Sequence, residues 1–138
     1  MKFPYRKIGD YWMPVIHVGL QRESVRIFVE ALVDSGSSCC IFTADLAPVL
    51  GIVDVRGGRR VGFSGISGVE LAGFRHSIDL VIGGKIFRNI DVLFSEELPV
   101  NSINILGQHG FFELFPVKFL QSRGEIDILL RSKYAKRR

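Results

Sequence analysis

Apolar residues along the chain fall in short runs broken by glycines and polar turns, a pattern of strands rather than long helices. Val15 to Leu20 and Val25 to Val33 are β-rich and flank the polar turn Gln21-Arg22-Glu23-Ser24, which predicts a hairpin. Within the second run Val25, Ile27 and Val29 alternate with Arg26, Phe28 and Glu30, so one face should be buried. At Ala31-Leu32-Val33 the chain becomes apolar on both faces, as though entering the centre of the molecule. Cys40-Ile41-Phe42 predicts a short strand, and Thr43 is placed to cap a helix over 44–50 that ends at Gly51. Arg59 to Phe63 and Val69 to Phe74 flank a glycine-hinged tip, Ser64-Gly65-Ile66-Ser67-Gly68, with the apolar Ile66 at its apex. Ser77 to Ile82 and Ile86 to Phe94 predict a further hairpin around Gly83-Gly84. Ile103 to Gly107 reads as a short buried strand, and 108–115 as a brief helix weakened by Gly110 and stopped by Pro116. Val117 to Leu120 and Glu125 to Leu130 are closing strands around Ser122-Arg123-Gly124. Repeated hairpins with one or two short helices predict an all-β fold, a closed or partly orthogonal barrel.

A length of 138 residues is most simply one domain with a real core. Residues 1–12 are expected to form an extended N-terminal arm, 13–130 the domain, and 131–138 a basic tail. The formal charge of +4 comes from that tail, because Arg131, Lys133, Lys136, Arg137 and Arg138 outweigh a nearly neutral body. Such an end is expected to be solubilising, so no nucleic-acid partner is implied. No run of 18 apolar residues occurs and the first twelve residues lack a signal-peptide core, so no membrane association is expected. Cys39 and Cys40 are the only cysteines, and adjacent thiols cannot staple a loop. With His17, His76 and His109 scattered, no zinc-ligand spacing exists and neither metal nor cofactor is expected. Both points fit a reducing, cytoplasmic setting. A thiol nucleophile is disfavoured, since no histidine is implied beside either cysteine.

The chemistry-bearing candidate is Asp34, between the apolar Ala31-Leu32-Val33 and the run Ser35-Gly36-Ser37-Ser38. A turn role is available, because Asp, Ser and Gly are common turn residues. The apolar flanks on both sides argue for more, since an acid in that setting must be paired or hydrogen bonded. Gly36 allows a backbone amide to approach the carboxylate, and Ser35 and Ser37 offer hydroxyls.

This run resembles the catalytic loop of aspartic proteases: an apolar pair, Asp, Thr or Ser, Gly, then a small residue. Asn104-Ile105-Leu106-Gly107 resembles the apolar-apolar-glycine segment that backs that loop, and the hairpin over 58–73 resembles the substrate-covering flap. Their order and spacing are similar to the single-domain, retroviral-type (retropepsin-like) branch, over about residues 13 to 130. The resemblance implies a closed acid-protease barrel with Asp34 catalytic. It implies that Ser35 locks two catalytic loops together, and that the Ser37 hydroxyl bonds the outer carboxylate oxygen. Leu106 and Gly107 become the support, and Gly62, Phe63, Ser64, Gly65, Ile66, Ser67 and Gly68 the flap. Val33, Ile66 and Ile105 become candidates for apolar subsites. The chain departs from viral members in Gln108, where arginine is common, and in Ser38, where its aspartate partner usually stands. A neutral contact is expected in place of that ion pair. The flap also lacks a tyrosine.

Carboxylate-driven peptide hydrolysis needs two acids in different protonation states. Asp45, Asp54, Asp79, Asp91 and Asp127 have no matching Ser-Gly context, so the chain supplies one. A C2 homodimer would supply the second and cut an extended peptide or unfolded protein. In viral relatives the ends of both chains interleave in one sheet. Here the strand-like 125–130 or the arm with Tyr5, Tyr11 and Trp12 is expected to build that contact. Two other readings stand beside an aspartic endopeptidase: a catalytically weak or inactive binding or assembly module of the same fold, and a plain barrel in which Asp34 is a turn residue.

Overall fold

The structure is a computed structural model that describes residues 1–65 and 67–130. The expectations for Ile66 and for the basic tail 131–138 lie outside them. The first sheet-forming pair is the predicted hairpin, β4 (Val15–Arg22) with β5 (Val25–Val33). The alternation in β5 is as expected: its odd residues turn inward until Ala31 and Val33, which are fully buried. β10 (Asn104–Leu106) lies parallel to the end of β5, with Leu106 opposite Val33. On its other side β10 meets β6 (Ile41–Thr43), which in turn runs parallel to β9 (Lys85–Ser95).

β8 (Glu70–Ile82) spans two stretches that the sequence pattern separates, 69–74 and 77–82. One edge of it pairs β9 from Phe74 to Ile82. The other side pairs β7 (Arg59–Ser64) over its first half and β4 near its end, with Leu20 opposite Leu80. A register irregularity between Ile78 and Leu80 lets the long strand bend from one partner to the other. The β4–β8 contact closes β4-β5-β10-β6-β9-β8 into a ring, with β7 hanging outside it. This is the closed all-β barrel expected.

Its interior holds Leu20, Phe42, Leu80, Phe94 and Leu106, all fully buried. Phe111 and Phe115 extend the core, with Phe115 edge-on to Phe87 at a centroid distance of 4.7 Å. The helix expected over 44–50 is shorter, α1 (Leu46–Val49), with Asp45 rather than Thr43 at its N-cap. Thr43 is instead the buried last residue of β6, where its amide donates to Asn104 Oδ1 at 3.2 Å.

The predicted helix over 108–115 does not form. It is a series of irregular turns in which Phe112 and Glu113 bond five residues back, to Gly107 and Gln108. Gly110 explains this. Its φ of +94° breaks any right-handed helix, and a Cβ there would lie 2.7 Å from the Asp91 carbonyl oxygen.

Residues 1–12, expected as an extended arm, are built into the protein as short strands with a turn at Gly9-Asp10. β1 (Lys2–Pro4) pairs with β12 (Glu125–Ile128), which also pairs with β11 (Val117–Leu120). The two ends of one chain thus share a three-stranded sheet whose Ile126 and Ile128 are completely buried. β2 (Arg6–Ile8) and β3 (Tyr11–Met13) form a separate two-stranded ribbon.

Replacing Gly110 with alanine should cost about 1–3 kcal/mol through the left-handed backbone alone, with the Asp91 contact adding to it. Urea unfolding of Gly110→Ala against the parent chain measures this, and an unchanged midpoint contradicts it.

Candidate active site

Asp34 follows β5 directly, and its position is set by backbone before its side chain matters. The Asp34 amide donates to the Leu106 carbonyl at 3.0 Å, which extends the β5–β10 pairing by one residue. The chain then turns sharply, with the Ser37 amide on the Asp34 carbonyl at 3.1 Å. The turn brings the Gly36 amide to 2.9 Å from Asp34 Oδ1, the carboxylate–amide contact expected of the Ser-Gly pair. Asp34 is left half-buried, with Ser35 and Gly36 exposed beside it.

The segment after Leu106 grips the returning limb of the loop. Gln108 and His109 amides donate to the Ser37 and Ser38 carbonyls at 2.8 and 2.9 Å. Gly107 lies where these two backbones cross. A Cβ at 107 would sit 2.7 Å from the Ser37 carbonyl oxygen and collide with that of Cys39. Leu106 is completely buried beneath.

The neutral contact expected at Gln108 exists, but not with Ser38. Gln108 Nε2 donates to the Ser35 carbonyl at 2.7 Å, tying the loop's tip to its support. Ser38 Oγ points to Cys39 Sγ at 3.7 Å. The Ser37 hydroxyl differs from expectation as well: it donates to the Cys39 carbonyl at 2.8 Å and so braces the loop instead of meeting the carboxylate. Val33 is fully buried and Ile105 half-buried.

Two groups behind the loop, His109 and the Cys40 thiol, make contacts that have no local sequence signal. His109 bridges two carboxylates, Asp91 Oδ2 at 3.3 Å and Glu113 Oε1 at 2.9 Å, and so joins β9 to the irregular turns. The Cys40 thiol lies under the Gly107 amide, and burial pushes it up to about 12. Neither cysteine forms a disulfide.

The hairpin of β7 and β8 carries Gly62 opposite Ala72, Phe63 opposite Leu71 and Ser64 opposite Glu70. Its tip closes with the Gly68 amide on the Gly65 carbonyl at 3.0 Å, and the Val69 amide reaches Ser67 Oγ at 3.4 Å. The tip is exposed, while Phe63 is half-buried. The base is pinned from outside the hairpin: Ala72 donates its amide to Glu97 Oε2 at 2.5 Å and accepts the buried Ser95 hydroxyl at 2.7 Å. Three of the other aspartates have separate duties. Asp79 holds Arg88, Asp91 holds His109, and Asp127 meets the terminal amine of Met1.

The sequence profile of a family described as "Aspartyl protease" matches residues 25–109, which contain both the Asp34 loop and its support. Among solved structures, the chain is similar to a retropepsin-like aspartic protease from Rickettsia conorii. That match has 19% identity and a TM-score of 0.65, and covers 93% of this chain and 89% of that one. It is also similar to the EIAV protease complexed with the inhibitor HBY-793, at 17% identity and a TM-score of 0.50. There the match covers 74% of this chain and 88% of the other. No curated protein matches the sequence.

The geometry predicts distinct fates for the adjacent thiols. Titration of the native protein with a thiol reagent near neutral pH should modify Cys39 and spare Cys40, with both reacting in urea. Because burial raises the Cys40 thiol from its ordinary 9.0 to about 12, folding favours its protonated form. That contribution to stability is intact below pH 9.0 and is lost as pH rises toward 12. Unfolding midpoints followed upward from pH 9.0 should therefore fall more steeply in the parent chain than in Cys40→Ala; parallel curves contradict the assignment.

A second expectation concerns the flap base. Glu97→Ala should speed amide hydrogen exchange at residues 70–74 while leaving β4 and β5 protected. Equal exchange in both proteins removes Glu97 as an anchor.

Proposed function

The chain belongs to the aspartyl protease family, and from that premise we propose that it is an aspartic endopeptidase whose catalytic pair is Asp34 from each of two copies. The observation that carries this reading is the Asp34 loop itself. Its carboxylate is held by the Gly36 amide, its backbone is fixed by Leu106, Gln108 and His109, and its tip is left exposed. A half-buried carboxylate fixed so firmly beside an exposed tip is prepared to meet something outside its own chain. The unmatched context of the other aspartates makes a second Asp34 the natural partner, related by a two-fold axis.

Two carboxylates brought within a few ångströms share one proton. The ionised one takes a proton from a water molecule as its oxygen attacks the peptide carbonyl carbon. The protonated one gives its proton to the carbonyl oxygen, and a tetrahedral diol results. Collapse of the diol breaks the C–N bond: the carboxyl that took the water proton gives it to the departing nitrogen, and a diol hydroxyl returns a proton to the other carboxylate, which restores the starting pair. The Gly36 amide, on Oδ1, leaves Oδ2 for water and the second carboxylate. In this assembly Ser35, exposed at the loop tip, is positioned to contact the other loop. The β7–β8 hairpins cover an extended peptide and offer backbone hydrogen bonds to it, with alternate side chains entering pockets. The two free cysteines support a reducing, cytoplasmic setting for the activity.

A second reading, a peptide-binding or assembly module without efficient catalysis, draws on Gln108 and on a flap without tyrosine. One experiment separates the two. Cleavage of an unstructured protein substrate should show a bell-shaped dependence on pH. Asp34→Asn should lower kcat/KM by roughly two to four orders of magnitude without changing the fold. Binding of the same peptides with no cleavage by either protein favours the module.

A further inference from the structure

We infer that the β2–β3 ribbon, together with the groove beside it, is the surface on which a second copy of this chain docks; the inference deepens the dimer reading above and rests on it. The ribbon pairs only with itself among the described residues, and a lone two-stranded ribbon is marginal in water. It nevertheless displays large apolar side chains, with Tyr11 74% and Trp12 61% exposed. Tyrosine and tryptophan are the residues that interfaces concentrate. Beside them runs a groove of about 710 Å³, lined by Tyr5, Tyr11, Trp12, Gln121 and Arg123 among others.

Three observations select a second copy as the occupant. The first is position. Pro14 follows β3 at once, and its carbonyl accepts the amide of Val33, the residue before Asp34, at 2.9 Å. A body seated on the ribbon therefore lies at the end of the barrel where the single carboxylate waits for its mate. The second is the state of the chain ends. β12 is paired on both sides, by β1 and β11 of its own chain. Terminal strands cannot be exchanged between copies without breaking that ladder, so the dimer needs another face. The third is charge. Asp10 and Arg123 both line the groove, opposite in sign, and neither makes an ion pair among the described residues. A two-fold interface must be self-complementary, and a patch carrying one acid and one base meets that condition against its own copy.

Trp12 is the sole tryptophan, so its fluorescence reports on this face alone. Sedimentation of the parent chain over a dilution series should show a monomer–dimer equilibrium, with Trp12 emission shifting to the red as the dimer dissociates. Tyr11→Ser combined with Trp12→Ser should raise the dissociation constant at least about tenfold with the circular dichroism spectrum unchanged. A double variant that dimerises as tightly as its parent overturns the inference, and so does a parent chain that stays monomeric. If the double variant fails to fold, Trp12 emission of the parent decides: a position unchanged between dimer and monomer overturns the inference. The catalytic reading fails separately, as a parent dimer that buries Trp12 yet cleaves nothing.

Discussion

The Asp34 site depends on a crossing of two backbones at Gly107, where the outgoing end of β10 passes against the returning limb of the 34–39 loop with no side chain between them. From this contact the rest follows. Close approach lets the Gln108 and His109 amides reach the loop carbonyls, and the Asp34 amide reach Leu106. The loop is then short and closed enough for the Gly36 amide to meet the carboxylate. The barrel's parallel β5–β10 pair exists to deliver both ends to that point, since only parallel neighbours bring Val33 and Leu106 out at the same edge.

The interior behind the crossing is made stiff by means that differ in kind. Leu106, Phe111 and Phe115 fill it with apolar volume. Cys40 adds a small buried thiol under the Gly107 amide, held neutral by its surroundings. His109, between Asp91 and Glu113, ties the same segment to β9 through its two ring nitrogens, at a half-exposed position where such contacts are worth less than burial. The apolar packing therefore sets the geometry, and these contacts trim it.

Much of this was legible in the sequence because the signals were local. The alternation in 25–30, the apolar 31–33 and the Asp-Ser-Gly turn are contiguous, and each maps to a strand face or a turn. The helix over 108–115 failed for a reason equally local but outweighed: its aromatic and leucine spacing suits a helix, while Gly110 takes a left-handed backbone under the Asp91 carbonyl. The union of 69–74 with 77–82 was hidden because a strand that changes partners midway shows no single alternation. Ser37, Glu97 and His109 were out of reach for a third reason. Their partners, the Cys39 carbonyl, the Ala72 amide and the Asp91 carboxylate, are chosen by the tertiary fold.

The chain ends bear on how folding and assembly are related. Where terminal strands are shared between copies, the sheet is complete only in the dimer, and folding and association are one event. Here β1, β12 and β11 complete the sheet inside one chain, and Ile126 and Ile128 are buried without help from a partner. A protomer of this kind can hold its Asp34 loop in place before it meets a second copy. Folding then prepares half of the proposed catalytic pair, and association alone completes it. Under the proposed function, the quantity that governs cleavage is protomer concentration against the dimer dissociation constant, not the stability of the barrel.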